Sequence, residues 1–112
     1  MLITAYPVQR PDGQWSVMVI NKDQSNAHRV RLVFDDETGK HNSFSGPVTM
    51  TTFGSEQYVW RAERAESHAD PNLPPLTTNV QATTDFSFIL PKASLNVLRG
   101  KIDVIRHQGA TK

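Results

Sequence analysis

Short apolar and β-branched runs recur along the chain, separated by clusters of Pro, Gly, Asn and Asp. This regular spacing is typical of antiparallel all-β domains. The run from Trp15 to Asn21 is apolar on both faces, which predicts a central strand. In the run from His28 to Phe34, apolar residues alternate with arginines, which predicts a strand with one buried and one solvated face.

Other runs predict strands that are short or interrupted. Leu2 to Gln9 is the first, and the turn Pro11-Asp12-Gly13 follows it. Phe44 to Phe53 contains Gly46-Pro47, which indicates either an edge strand or a β-bulge. Gln57 to Ala62 favours a strand over a helical turn.

The remaining pattern predicts a long loop and two closing strands. Residues 67–79 are polar and rich in proline, which lacks the N–H that a ladder needs, so we expect a surface loop. Phe86, Phe88 and Leu90 alternate with polar residues, and the run from Ala93 to Leu98 follows, with an extension over 102–105. Adjacent acidic residues at 35–37 are expected to form a turn.

About eight strands in 112 residues predict one all-β domain over residues 1–106, followed by a flexible C-terminal tail at 107–112. The expected architecture is an antiparallel two-sheet β-sandwich with Greek-key or immunoglobulin-like topology.

Composition excludes several classes of function. Lys and Arg number 12 against 11 Asp and Glu, so a basic stripe for nucleic acid is not expected. No run approaches the ~20 apolar residues of a membrane helix, so we expect no membrane partner. The chain has no cysteine, which removes disulfides and thiolate chemistry.

Candidate catalytic and metal-binding groups are scattered. A glycosidase needs two carboxylates about 5–10 Å apart, and the acidic candidates are Asp35, Asp36, Glu37, Glu56, Glu63, Glu66 and Asp70. The histidines do not have the spacing of paired metal ligands; they are His28, His41, His68 and His107. The serines near glycines do not lie in a Gly-x-Ser-x-Gly nucleophile elbow; they are Ser43, Ser45 and Ser55. We therefore expect no catalytic residue, no metal and no cofactor.

The aromatic side chains are the most informative candidates, because flat rings can stack on sugar faces while polar neighbours hydrogen-bond hydroxyls. Tyr58 and Trp60 share one face of a predicted strand, beside Gln57 and Arg61. Trp15 is the third aromatic candidate. For Trp15 and Trp60, burial in a core and exposure as a sugar platform both stand as interpretations.

The segments, taken in order, resemble a known family over nearly the whole chain. They are Ile3-Thr4-Ala5-Tyr6, Arg10-Pro11-Asp12-Gly13-Gln14-Trp15-Ser16-Val17, Val19-Ile20-Asn21-Lys22, Gly46-Pro47-Val48, Phe53-Gly54-Ser55-Glu56-Gln57-Tyr58-Val59-Trp60 and Leu90-Pro91-Lys92-Ala93-Ser94-Leu95-Asn96-Val97-Leu98-Arg99-Gly100. These segments are similar to the C-terminal β-sandwich behind the (β/α)8 barrel of bacterial glycoside hydrolases of the arabinofuranosidase, xylosidase and glucuronidase type.

The resemblance implies a non-catalytic accessory domain, because the catalytic carboxylates of such enzymes lie on the barrel. The implied partner is the catalytic TIM-barrel domain of a secreted or periplasmic parent. Polysaccharide is a second partner if the domain also acts as a carbohydrate-binding module through Trp60, Tyr58, Trp15, Gln57 and Arg61. An isolated copy is expected to expose a sheet edge that could form a homodimer. The alternative is an immunoglobulin-like protein-interaction module that binds no sugar.

Overall fold

The computed structural model describes residues 2–35, 38–62, 64–83 and 86–104. These residues form antiparallel strands and one short 3-10 helix at Arg64–Glu66. The strands are β1 (Ile3–Gln9), β2 (Trp15–Asn21), β3 (His28–Val30), β4 (Phe34–Asp35), β5 (His41–Gly54), β6 (Tyr58–Arg61), β7 (His68–Asn72), β8 (Leu76–Ala82), β9 (Phe88–Leu90) and β10 (Ser94–Val104). Within these residues, no helix has the length and apolar character needed to cross a membrane.

Six strands form the main sheet, which is strongly curled. Its order is β1-β2-β10-β5-β4, and β8 also pairs with β5. β3 pairs with β9 and β6 pairs with β7 in two smaller sheets. The all-β antiparallel class is confirmed, with ten strands in the described residues where about eight were expected. The two-sheet sandwich stays a prediction.

β2 lies between β1 and β10, which confirms its prediction as a central strand. β1 pairs with β2 on one side, and hydrogen bonds from Arg10 N to Gln14 O and from Lys22 N to Leu2 O flank the two strands. These bonds show that the even-numbered residues of β1 direct their N–H and C=O groups towards β2. The nitrogen of Pro7 therefore points away from β2, so the N–H that proline lacks is not needed for a hydrogen bond between the two strands.

β5 is a 14-residue strand that bends at Gly46-Pro47. Val48 pairs with Gly100 and Ser45 pairs with Lys101. Gly46 and Pro47 therefore have no opposite partner on β10. The bulge is confirmed, and Gly46 has a φ of 80° that suits a residue without Cβ. The edge-strand alternative is wrong, because β5 has β10 on one side and β4 and β8 on the other.

The core lies on the inner face of the main sheet. β2, β5 and β10 bury Val17, Val19, Phe44, Val48 and Leu98, and β9 covers them with Phe88 and Leu90. The ring of Phe44 contacts those of Phe34 and Phe88 edge-on, at centroid distances of 5.2 and 6.1 Å. Edge-to-face pairs of this kind stabilise an apolar core beyond their burial.

Three predicted segments differ from the structure or fall outside it. The run from His28 to Phe34 is not one strand, because β3 ends at Val30 and β4 starts at Phe34. The loop prediction for 67–79 is wrong, since β7 and most of β8 lie there. Pro74 and Pro75 fall between these strands. Pro71 lies on β7, which within the described part of the chain pairs only with β6. The predicted tail, with His107, and residues 36, 37 and 63 lie outside the described residues.

β6 confirms the strand interpretation of the segment that starts at Gln57. The strand covers Tyr58–Arg61, and the 3-10 helix follows it before β7 returns. β6 and β7 therefore form a hairpin that leaves the main sheet after β5.

Candidate binding surface

The outer face of the main sheet carries an apolar surface that the core does not use. Strand register places Tyr6, Met18 and Val97 in one row across β1, β2 and β10. Val8 lies two residues beyond Tyr6 on the same face. We name Tyr6, Val8, Met18 and Val97 the outer patch. Tyr6 is 51% exposed and Val8 is 59% exposed, so this patch faces solvent.

The next row of the outer face consists of Ile20, Leu95 and Phe53, which are aligned across β2, β10 and β5. This row forms the floor of an open groove of about 520 Å³, where the three strands meet their loops. We name it the end groove. Its rim includes Lys22 and Gln24 after β2, Ser55 and Tyr58 after β5, and Ala93 before β10.

Tyr58 folds back over the outer face. Its ring centroid lies 6.0 Å from that of Phe53, with an angle of 35° between the planes. The turn that positions Tyr58 is closed by Gln57, whose N–H donates to the carbonyl of Gly54 at 2.9 Å. The N–H of Gly54 donates in return to Oε1 of Gln57 at 2.8 Å. These reciprocal bonds hold the aromatic pair at the groove.

The structure separates the other sugar-binding candidates by role. Gln57 is 8% exposed, and its side-chain oxygen is used within the turn. Trp60 is 57% exposed on the β6–β7 hairpin and is not among the residues that line the end groove. Arg61 is exposed and donates from Nε to the carbonyl of Asp70 at 3.0 Å. Tyr58 is the candidate that the structure places in the groove.

Trp15 lies on the inner face at the opposite end of β2. It is half-buried against the core, and its ring lies 5.4 Å from that of Phe34. Lys22 is seven residues beyond Trp15, which corresponds to about 23 Å along a strand. Trp15 lines a separate pocket of about 630 Å³ with Phe34 and Asp35. It therefore cannot share one sugar platform with Tyr58.

The acidic and histidine candidates lie on different segments. Asp35 is on β4, Glu56 in the β5–β6 turn, Glu66 in the 3-10 helix and Asp70 on β7. His41 Nδ1 contacts the carboxylate of Asp35, and His68 Nδ1 lies 2.7 Å from the carbonyl of Glu66. Across the described ranges, no three His, Asp or Glu side chains are grouped as a metal ion would require.

The loop after β2 has one strongly perturbed carboxylate. His28 Nε2 lies 2.8 Å from Asp23 Oδ2, and this hydrogen bond is the largest cause that lowers the pKa of Asp23 from 3.8 to about 2. The N–H of Ser25 donates to the same carboxylate at 2.9 Å and acts in the same direction. Both bonds favour the ionised form. Asp23 thus organises the loop that carries Gln24.

Comparison with known proteins adds a relation of fold. No protein-family model matches the sequence, and no curated protein matches it significantly. Among solved structures, the thermostable GH51 α-L-arabinofuranosidase from Thermotoga petrophila RKU-1 is similar, with a TM-score of 0.55 and 14% identity. The fold is similar to part of a glycoside hydrolase. The match covers 89% of this chain and 19% of that enzyme, so the chain spans about a fifth of its length.

The likeness to the arabinofuranosidase agrees with the sequence resemblance at the level of fold. The match identifies no binding residue in this chain, so the end groove is defined by the geometry of this structure alone. Sequence analysis missed Phe53 and Lys22 as groove residues. Phe53 lies two residues after Thr51 and four after Thr49, so the three side chains point to the same face of β5. The two polar threonines indicate that this is the outer face. Lys22 has no comparable local signal, because only the fold brings it near Tyr58.

Proposed function

We propose that this chain is a non-catalytic accessory domain of a glycoside hydrolase, a β-sandwich that packs against the catalytic barrel and stabilises it. The observation that carries the proposal is the coverage of the arabinofuranosidase match, 89% of this chain against 19% of the enzyme. A domain that corresponds to one fifth of such an enzyme leaves room for a separate catalytic domain. We therefore assign the catalytic carboxylates to that other domain.

The outer patch supports this role. Tyr6, Val8 and Val97 are large apolar side chains that are at least one-third exposed on adjacent strands. Contiguous exposed apolar surface on a soluble domain commonly marks a contact with another protein or domain. The outer patch is the surface that we assign to the catalytic domain.

The proposal is tested on the native polypeptide that contains this sequence. We would isolate it from the source organism with an antibody against this chain, and measure its mass and its hydrolysis of aryl glycosides. We expect a polypeptide that contains, or is stably bound to, a glycosidase domain. A native polypeptide that neither contains nor binds a glycosidase would overturn the proposal.

Substitutions then test the role of the outer patch. Tyr6→Ser with Val97→Ser should lower the thermal midpoint of the native polypeptide and leave its KM unchanged, because the patch supports the enzyme and does not touch substrate. Ile89→Ser is the matched control, since Ile89 is 54% exposed on β9, away from the patch. Equal effects of the two changes would contradict an interface at the outer patch.

Polysaccharide binding is a second candidate function, favoured by the exposure of Trp60. An indole that is 57% exposed on a hairpin offers a flat face to a sugar ring. The test is retention of this chain on insoluble plant polysaccharides, with Trp60→Ala as the variant. Tyr6→Ala, at an aromatic residue that is 51% exposed on β1, is the control. Retention lost only in Trp60→Ala would support the role, and no retention of the unsubstituted chain would exclude it for those glycans.

A further inference from the structure

The end groove combines an apolar floor with a few polar rim groups. Ile20, Leu95 and Phe53 form the floor, and Tyr58 stands beside Phe53. Gln24 and Ser55 supply an amide and a hydroxyl at the rim. Its volume of about 520 Å³ falls within the range of small-molecule sites. This mixture suits a ligand with both an apolar face and hydroxyl groups, which is the chemistry of a sugar ring.

Phe53 and Tyr58 provide the flat surface. Phe53 is 37% exposed and Tyr58 is 39% exposed, so each ring buries one part and presents another. Their planes differ by 35°, which makes a shallow angled surface and not an edge-to-face pair. A sugar can lie against such a surface without displacing either ring from its packing.

Lys22 gives the groove a charge. It is the only Lys, Arg, Asp or Glu among the described residues that line the groove. It follows Ile20 by two residues in the extended pairing, which continues through the bond from Lys22 N to Leu2 O at 2.8 Å. Its side chain therefore projects from the outer face, as that of Ile20 does. In the described residues no carboxylate forms an ion pair with it.

The neighbouring carboxylate of Asp23 forms no ion pair with Lys22. The carboxylate of Asp23 contacts the N–H groups of Ser25 and Asn26 and the ring of His28. These partners lie in the loop after β2 and at the start of β3. Among the described residues that line the groove, Lys22 is the one charged group, and its ammonium group without an ion-pair partner favours an anionic ligand.

The groove is also held in shape before any ligand arrives. On the β2 side, Asn21 Nδ2 donates to the carbonyl of Pro91 at 3.0 Å, and the N–H of Ala93 donates to the carbonyl of Asp23 at 2.8 Å. On the β5 side, Gln57 closes the turn onto Gly54. Preorganised walls reduce the ordering cost of binding.

We propose that the end groove binds a saccharide that carries a carboxylate, a uronic acid unit. The sugar ring lies on Phe53 and Tyr58, the carboxylate pairs with the ammonium group of Lys22, and hydroxyls reach Gln24 and Ser55. The choice of a sugar rests on the proposed glycoside hydrolase context, whereas the choice of an acidic one rests on Lys22. Because the groove adjoins the outer patch, the bound saccharide lies beside the catalytic domain.

The test uses this chain with trigalacturonic acid as the acidic probe and xylotriose as the neutral one, in NMR titrations of the backbone amides. We expect trigalacturonic acid to shift the amides of Lys22, Gln24, Ser55 and Tyr58, and xylotriose to bind at least about tenfold more weakly. Binding of the acidic probe should weaken as salt increases, since the pairing is partly exposed.

Variants assign the two parts of the site. Lys22→Met should weaken the affinity for trigalacturonic acid by about tenfold and leave the affinity for xylotriose unchanged. Tyr58→Ala should weaken the affinity for both probes. Lys101→Met is the matched control, because Lys101 is an exposed lysine on the outer face of β10, outside the groove. Inorganic phosphate is included as an ion without a sugar ring.

Three results would overturn the inference: equal affinity for the two trisaccharides, no effect of Lys22→Met, or amide shifts by phosphate as large as those by trigalacturonic acid. Failure here, with a glycosidase found in the native polypeptide, would leave the proposed function intact. Acidic saccharide binding without any glycosidase partner would overturn the proposed function alone.

Discussion

Thr52 Oγ1 donates a hydrogen bond of 2.8 Å to Asn96 Oδ1 between β5 and β10, inside the core. Asn96 is 0% exposed, and its Nδ2 donates to the carbonyl of Val19 at 3.2 Å and to Ser94 Oγ at 2.9 Å. A buried amide is tolerated when its polar atoms are satisfied in this way. Asn96 therefore joins the three strands whose ends form the end groove.

Asn96→Ala should destabilise the chain by about 2–3 kcal/mol, because Thr52 and the carbonyl of Val19 lose their partner in a buried site. The free energy of unfolding in urea measures this. Asn79→Ala is the control, since Asn79 accepts its bond from Thr49 at the surface and should change the free energy by at most about 0.5 kcal/mol. Equal losses in the two variants would contradict a structural role for Asn96.

Asp23 predicts a stability change at acid pH. Its pKa is lowered from 3.8 to about 2 in the folded chain, so folding favours the ionised carboxylate. The stabilisation is fully present above pH 3.8 and is lost as the pH falls through about 2. A ¹³C NMR titration of the Asp23 carboxyl group should give a midpoint near 2.

His28→Asn should move that midpoint up towards 3.8, because the His28 hydrogen bond is the largest cause of the shift. The difference in unfolding free energy between the unsubstituted chain and Asp23→Asn should also narrow on acidification from pH 6 to pH 2. A midpoint already near 3.8 in the unsubstituted chain would show that the pair with His28 does not form.

The sequence was sufficient for elements whose pattern is local. β2 was predicted with its observed bounds, because its apolar and β-branched residues form one nearly continuous run, and its second apolar face contributes Met18 to the outer patch and Ile20 to the end groove. Gly46 and Pro47 predicted either an edge strand or a bulge in β5, and the observed register shift decides for the bulge. Prolines misled the prediction over 67–79, because proline excludes a ladder bond but not a strand that pairs on one side.

The candidate site was only partly predictable. Tyr58 was recognised as an aromatic candidate, and the bonds of Gln57 explain why it turns towards Phe53. Its partners Lys22 and Leu95 come from strands far apart in the chain, and they meet through the pairing of β2, β10 and β5. A single sequence contains no local signal for that long-range register.

Gly54→Ala should destabilise the chain by about 1–3 kcal/mol, because a Cβ at this position would lie 2.9 Å from the carbonyl oxygen of Ala93 and 2.9 Å from Ser94 Cβ. Ala93 lies in the turn before β10 and Ser94 begins that strand, and both line the end groove, so the wall of the groove must also move. Thermal unfolding gives the stability, and amide shifts of Ala93 and Ser94 report the movement. An unchanged stability in Gly54→Ala would contradict close strand packing at Gly54.

The two tryptophans should respond differently to the same substitution. Trp15 packs on Phe34 and the core, so Trp15→Ala should cost about 2 kcal/mol, less than the about 3–5 kcal/mol of a fully buried aromatic residue. Trp60 is 57% exposed, so Trp60→Ala should change the free energy of unfolding by at most about 0.5 kcal/mol. Urea unfolding followed by circular dichroism measures both variants without relying on either indole. A large loss in Trp60→Ala would mean that the hairpin needs this ring for folding, and the indole would then be structural and not a free platform for a ligand.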